Sequence, residues 1–220
     1  MEIDVNQALR YLGVQRPDKD TAQAVARMAR QVEAWAAPRW VYRVFSVSAE
    51  ENGAACPEAG LVLPGKLASG MLRECQSAAL LACTLGAEFD RRLLALQTRD
   101  MAQAVMADTC GSAWVEAGCD EAEREIAAAQ ANLYLTDRFS PGYGDLPLTL
   151  QPSLLRAVNA EKRLGVYAAP SLMLTPLKTV TAIIGLSDRP QGARIRGCGY
   201  CGLKAACAYR ERGLTCEISA

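Results

Sequence analysis

Near the C-terminal end of the sequence, Cys198, Cys201, Cys207 and Cys216 follow the spacing C-x2-C-x5-C-x8-C. A CxxC knuckle brings two thiolates onto one metal ion, and two further cysteines complete a four-thiolate site for Zn or an iron-sulfur cluster. Thiolate donors exclude Mg and Ca. Gly197, Gly199 and Gly202 surround the knuckle and let backbone N–H groups turn towards sulfur. The spacing is neither the paired knuckles of a zinc ribbon nor the CxxxCxxC of radical enzymes, so the metal stays open. A redox CxxC and unliganded thiols are the competing readings. The other five cysteines, Cys56, Cys75, Cys83, Cys110 and Cys119, are scattered through apolar segments and read as small buried hydrophobes.

A second constellation is RFSPGYGDLP, residues 138–147. Ser140 to Gly144 has the composition of a turn, with glycines able to take positive φ or to let a ligand approach the backbone. Arg138 adds a guanidinium, whose fork of donors suits a carboxylate. Turn and ligand loop both fit these residues.

The composition removes many other chemistries. The chain has no histidine, which excludes the Ser/His/Asp triad, His-based zinc motifs and any His ligand to haem or cobalt. Lys plus Arg and Asp plus Glu are both 24, so no summed field draws the chain to nucleic acid or to a membrane surface. The N-terminus, MEIDVNQALRYLG, lacks the order of a secretion signal, and no apolar run reaches spanning length. A cytoplasmic address is expected, where cysteines stay reduced and metal ligation is favoured over disulfides.

The elements that must position these residues follow from periodicity and punctuation. Asp4 or Asn6 is expected to cap a first helix to about Leu12, and Asp20 or Thr21 a second to about Ala36. RWVYRVFSVS, residues 39–48, reads as a covered strand ended by the polar loop EENGA. Leu61 to Leu63 reads as a short strand and Lys66 to Cys75 as a helix. SAALLACTLG, residues 77–86, fits a buried strand or a buried helix; the stop at Gly86 favours strand. Helical pattern runs from Phe89 to about Tyr134 with breaks near Arg99 and Asp100, and again from Pro152 to Leu164. SLMLTP and KTVTAIIGLS are expected to form a hairpin or bent strand pair around Pro176. Strands interleaved irregularly with helices indicate an α+β fold with a mainly antiparallel sheet over residues 1–189. Residues 190–220, small, basic and cysteine-dense, read as an appendage.

Around the 138–147 segment the sequence resembles the activation domain of cobalamin-dependent methionine synthase. That family's signature is an Arg, three residues, Gly-Tyr and a Pro soon after; here these are Arg138, Gly142, Tyr143 and Pro147. LLRAVNAEKRLGV and SLMLTPLKTVTAIIGLSD are similar to the helix and strand pair that follow the signature. TLG at 84–86 and the helix through WVEAG at 114–118 are similar to segments before it. The resemblance spans about residues 70–190. Two departures stand out: the family's Pro-Ala-Cys-Pro is here Gly144-Asp145-Leu146-Pro147, and its tyrosine pair has no counterpart after Asp188.

The resemblance implies a helmet-like single domain that binds S-adenosylmethionine (AdoMet) and docks over cobalamin carried by a methionine synthase or another corrinoid protein. It implies that Arg138 meets the AdoMet carboxylate, that Gly142 and Tyr143 offer backbone groups, and that Glu116 faces the ligand's ammonium or sulfonium. A solvated helix glutamate is the plainer reading of Glu116. Asp145 is expected to take part in ligand or corrinoid contact. The implied role is a reactivation subunit for reductive methylation of cob(II)alamin, an accessory to a methyltransferase, with flavodoxin or ferredoxin as an electron donor. The alternative is a zinc or iron-sulfur redox adaptor of a corrinoid protein, its AdoMet cleft vestigial.

Overall fold

The apolar run at 77–84 is explained by cover on both sides. In the computed structural model, which describes residues 1–14, 16–192 and 194–195, this run is a central strand whose residues are almost all buried. Its alternate side chains serve two cores. Ala79, Leu81 and Cys83 enter one; Ala78, Leu80 and Ala82 enter the other.

In chain order the elements are α1 (Val5–Tyr11), α2 (Lys19–Trp35), β1 (Arg39–Ser46), β2 (Ser48–Glu50), β3 (Gly53–Cys56), β4 (Leu61–Pro64), α3 (Lys66–Leu72) and β5 (Ser77–Thr84). Then come α4 (Ala87–Gln97), α5 (Met101–Ala129), β6 (Tyr134–Leu135), α6 (Gln151–Ala157), α7 (Ala160–Leu164), β7 (Tyr167–Ala168), β8 (Leu174–Thr175) and β9 (Thr179–Ser187). The main sheet has the order β1-β5-β9-β6, every pair antiparallel. Helices α1, α2, α4 and α5 cover one face; α3, α6, α7 and the small sheet β2-β3-β4 cover the other. The expected α+β class with a mainly antiparallel sheet is what the chain adopts.

Caps mark the helix starts. Asp4 accepts from Asn6 N, Asp18 from Thr21 N and Asp100 from Gln103 N. The second helix thus begins two residues earlier than expected, because Asp18 and not Asp20 supplies the cap. The break between α4 and α5 falls at residues 98–100, where the sequence pattern places it.

Three expectations are corrected. The polar EENGA segment is the turn of the β2-β3 hairpin, with Glu50 opposite Gly53. The helix at 152–164 is two helices, divided where Asn159 takes a left-handed conformation at φ 56°. SLMLTP does not pair with KTVTAIIGLS: β8 turns back onto β7, while β9 joins the main sheet. Leu172 at φ 67° makes the tight reversal before β8, and Pro176, which has no N–H to donate, separates β8 from β9.

Candidate functional site: an arginine caged by three carboxylates

Arg138 is placed by the edge of the main sheet. β6 pairs with the end of β9, and the chain stays alongside: Thr136 N donates to Gly185 O at 2.9 Å, and Gly185 N donates to Thr136 Oγ1 at 2.8 Å. Phe139 and Ile183 then exchange backbone hydrogen bonds of 3.0 and 2.8 Å. Gly185 is needed for this approach, since a Cβ there would lie 2.9 Å from Thr136 Cγ2 and 2.5 Å from Cys75 Sγ. Phe139 is buried in the core that Ala78, Leu80 and Ala82 enter, while Arg138 next to it reaches the helical layer on the other face.

There its guanidinium meets one stripe of α5. Nη2 donates to Glu116 Oε2 at 2.6 Å, and Nη1 donates to Asp120 Oδ1 at 2.6 Å and to Glu123 Oε1 at 2.5 Å. Positions 116, 120 and 123 recur at i, i+4 and i+7, so one helix face presents all three carboxylates. Arg138 is buried, whereas the side chains of Glu116 and Asp120 keep 31% and 48% exposure. The cluster therefore opens to solvent through its acids. Burial works against the charge of Arg138, but Glu123 and then its other neighbours more than reverse this and hold it protonated. Three carboxylates against one guanidinium leave an excess of negative charge, an environment that favours a cation.

Tyr11 at the end of α1 borders the same cluster. Its hydroxyl accepts from Gln7 Nε2 at 3.0 Å, and its pKa is raised by burial and then by the Glu116 carboxylate. Behind the cluster, the Cys119 thiol is raised well above its usual range by its neighbour Cys83 and by burial.

The 140–147 segment is a self-bonded loop. Tyr143 N donates to Ser140 O, Leu146 N to Tyr143 O, and Gly142 N to Leu146 O at 2.8 Å. Gly142 and Gly144 both have positive φ, 95° and 53°. Leu146 is buried and anchors the loop, which leaves the Tyr143 ring 54% exposed. Asp145 ties the loop to α3: Oδ2 accepts from Lys66 N at 2.6 Å and Oδ1 from Leu67 N at 3.0 Å. Those two bonds, Leu67 first, hold its carboxyl below the ordinary range. Gly65, at φ 105°, permits the contact; a Cβ there would sit 2.6 Å from Asp145 Cγ.

Among the residues singled out in the sequence, the structure thus joins Arg138 and Glu116 directly. Gly142, Tyr143 and Asp145 lie together in the loop that follows Arg138. The N–H groups of Gly142 and Tyr143 and both oxygens of Asp145 are engaged within the protein. Sequence reasoning missed Asp120, Glu123 and Tyr11. The spacing of Glu116, Asp120 and Glu123 on one helix was the available signal. Cys198, Cys201, Cys207 and Cys216 lie outside the described residues. Among the described residues, no group of Cys, Asp or Glu is arranged to hold a metal ion, and no helix is long and apolar enough to cross a membrane.

No protein-family model matches the chain, and no curated protein does. Among solved structures, the chain is similar to the crystal structure of the MetH reactivation domain bound to AdoHcy (S-adenosylhomocysteine). The TM-score is 0.63 at 15% identity, over 98% of this chain and 86% of that one. At that identity the likeness is one of fold. It covers α1 and α2 as well as the segments whose sequence carries the resemblance.

Proposed function

We propose that the chain is an AdoMet-binding reactivation subunit for a cobalamin-dependent methionine synthase or a related corrinoid methyltransferase. The observation that carries this reading is the reactivation-domain fold, extending over 98% of the chain, with Arg138 and Glu116 brought to 2.6 Å beside an exposed Gly-Tyr loop. AdoMet, when bound, supplies a methyl group that, with one electron from a donor, converts cob(II)alamin on the partner to methylcobalamin and leaves AdoHcy.

The residues present suit such a ligand. Its ammonium and sulfonium are cations, and the excess carboxylate around Arg138 stabilises cations. In this reading Glu116, held through one oxygen by Arg138, meets the cationic end of the ligand. Arg138 donates to the ligand carboxylate by releasing one of its own partners, Asp120 being the most exposed of the three. Gly142 and Tyr143 shape the rim. Asp145 acts at one remove, fixing the loop through α3. No histidine is required, since the cobalt ligand belongs to the partner.

The test is a turnover measurement with a cobalamin-loaded methionine synthase trapped as cob(II)alamin, a one-electron reductant and methyl-labelled AdoMet. Label appears in methylcobalamin only when this protein is added. Equal label with and without it overturns the reading.

A further inference from the structure

Helix α1 is held at both ends and along one face. Val5, Ala8, Leu9 and Leu12 recur at helical spacing and pack into the core that Trp114 and Val115 of α5 share. Before the helix, Ile3 N donates to Glu33 Oε1 at 2.7 Å. After it, Gly13 takes φ 78° and Val14 N donates back to Leu9 O at 3.0 Å. Tyr11, the last residue of α1, therefore has a fixed backbone. Its side chain is not used by that packing. The ring takes no part in the core that α1 joins, and it keeps 49% exposure.

The ring is nevertheless aimed. Gln7, one turn earlier, donates from Nε2 to the Tyr11 hydroxyl at 3.0 Å and restrains it. Helix α1 lies against α5, which carries the three carboxylates around Arg138. Glu116 and Arg138 are both near enough to act on the phenol: burial first raises its pKa, the Glu116 carboxylate adds to this, and Arg138 works against it. An exposed aromatic ring thus borders a cluster in which acids outnumber the guanidinium three to one.

That pairing suits an organic onium ion. The negative face of an aromatic ring attracts a cation, and it does so best when the cation carries carbon groups in place of a tight water shell. Surplus carboxylate charge beside the ring adds to the attraction. From its fixed backbone, its exposure and its place against the Glu116 cluster, we infer that Tyr11 is a further ligand-binding residue of this site, its ring the wall for a sulfonium centre. The inference rests on the AdoMet reading and deepens it. The sulfonium of AdoMet lies between the ring and Glu116. The neutral thioether of AdoHcy gains contact from the ring but no charge attraction. Tyr11 is thereby specificity-determining: it favours the methyl-bearing ligand over the spent one, and it does so through its ring rather than its hydroxyl.

The experiment titrates AdoMet and AdoHcy calorimetrically into the full chain and into Tyr11→Phe, Tyr11→Leu and Tyr167→Leu. Tyr167, on β7, is an equally exposed tyrosine and serves as the control. Far-UV circular dichroism confirms that each variant folds. Tyr11→Phe and Tyr167→Leu are expected to keep both affinities. Tyr11→Leu weakens AdoMet about three- to tenfold, the range of a part-exposed cation–ring contact, and leaves AdoHcy nearly unchanged. Should Tyr11→Leu perturb the fold, Tyr11→pentafluorophenylalanine keeps the ring's shape, drains its negative face and gives the same selective loss. An equal loss of both ligands, a loss in Tyr11→Phe as large as in Tyr11→Leu, or unchanged AdoMet binding in Tyr11→Leu overturns the inference while the AdoMet reading stands. A parent chain that binds neither ligand removes both.

Discussion

Arg138 at the sheet edge and Glu116 on α5 are 2.6 Å apart although 22 positions separate them in the chain. The contact joins the β9 edge to the helical layer and makes the buried guanidinium the hub of three ion pairs. Replacing Arg138 by Ala leaves three neighbouring carboxylates without their counter-charge. A loss on the order of 2–4 kcal/mol is expected in urea denaturation, below the full cost of breaking a buried pair because the acids remain part-exposed. Arg138→Lys recovers only part of it, since an ammonium cannot present the same fork. Equal stability of Arg138→Ala and the parent removes the hub.

The Asp145 cap carries a pH signature. Its carboxyl is held low in the folded state by the amides of Leu67 and Lys66, so its stabilising contribution is present above the unfolded carboxylate pKa of about 4 and is lost as pH falls through the folded value. Asp145→Ala therefore lowers Tm near neutral pH, and the gap to the parent closes in strong acid. Thermal scans across that range check it; a gap independent of pH contradicts the cap.

Gly65→Ala acts on the same contact from the other side. The new Cβ meets the Asp145 carboxylate, and φ 105° strains any side chain. In a double-mutant cycle, Asp145→Ala relieves the collision but not the strain, so the two changes are less than additive. Additive losses mean that the residues do not touch.

Gly111 in α5 faces the Phe89 ring, which occupies the space a Cβ needs. Phe89 is fully buried and its ring lies 6.3 Å from that of Trp35, so it cannot retreat freely. Gly111→Ala improves helix propensity yet costs about 1–3 kcal/mol through overpacking. A stabilised variant in denaturant melts contradicts that packing.

Much of this fold is written locally. The run SAALLACT is apolar at every position but its ends because both sheet faces are covered, and Gly86 closes it. Asp4 and Asp100 announce their helices by position alone. What escaped sequence reading depends on partners far away. β8 chooses β7 over β9, a choice made by the reversal at Leu172 and by packing rather than by residue type. Asp145 reads in the sequence as a ligand- or corrinoid-contacting acid; its bonds to the amides of α3, 79 positions earlier, are not legible there. Arg138 is legible in the sequence as a candidate ligand-site arginine, but its own acids on α5 are legible only as a spacing, and a helix face acquires meaning once the strand edge opposite is known.

Glu116 separates the ligand reading from a purely structural one. Glu116→Gln keeps a hydrogen-bond acceptor for Arg138 and removes the charge offered to the ligand. AdoMet affinity is expected to fall by about 1.5–3 kcal/mol, the scale of a charge-assisted contact, while the urea midpoint moves little. Unchanged affinity assigns Glu116 to the cage alone.

The most direct measurement is calorimetric titration of the full chain with AdoMet and with AdoHcy, alone and with the cobalamin-loaded partner. The proposed function predicts saturable one-to-one binding, with AdoMet tighter than AdoHcy because the surplus carboxylate charge around Arg138 favours the sulfonium. Absence of heat from either ligand under both conditions contradicts it.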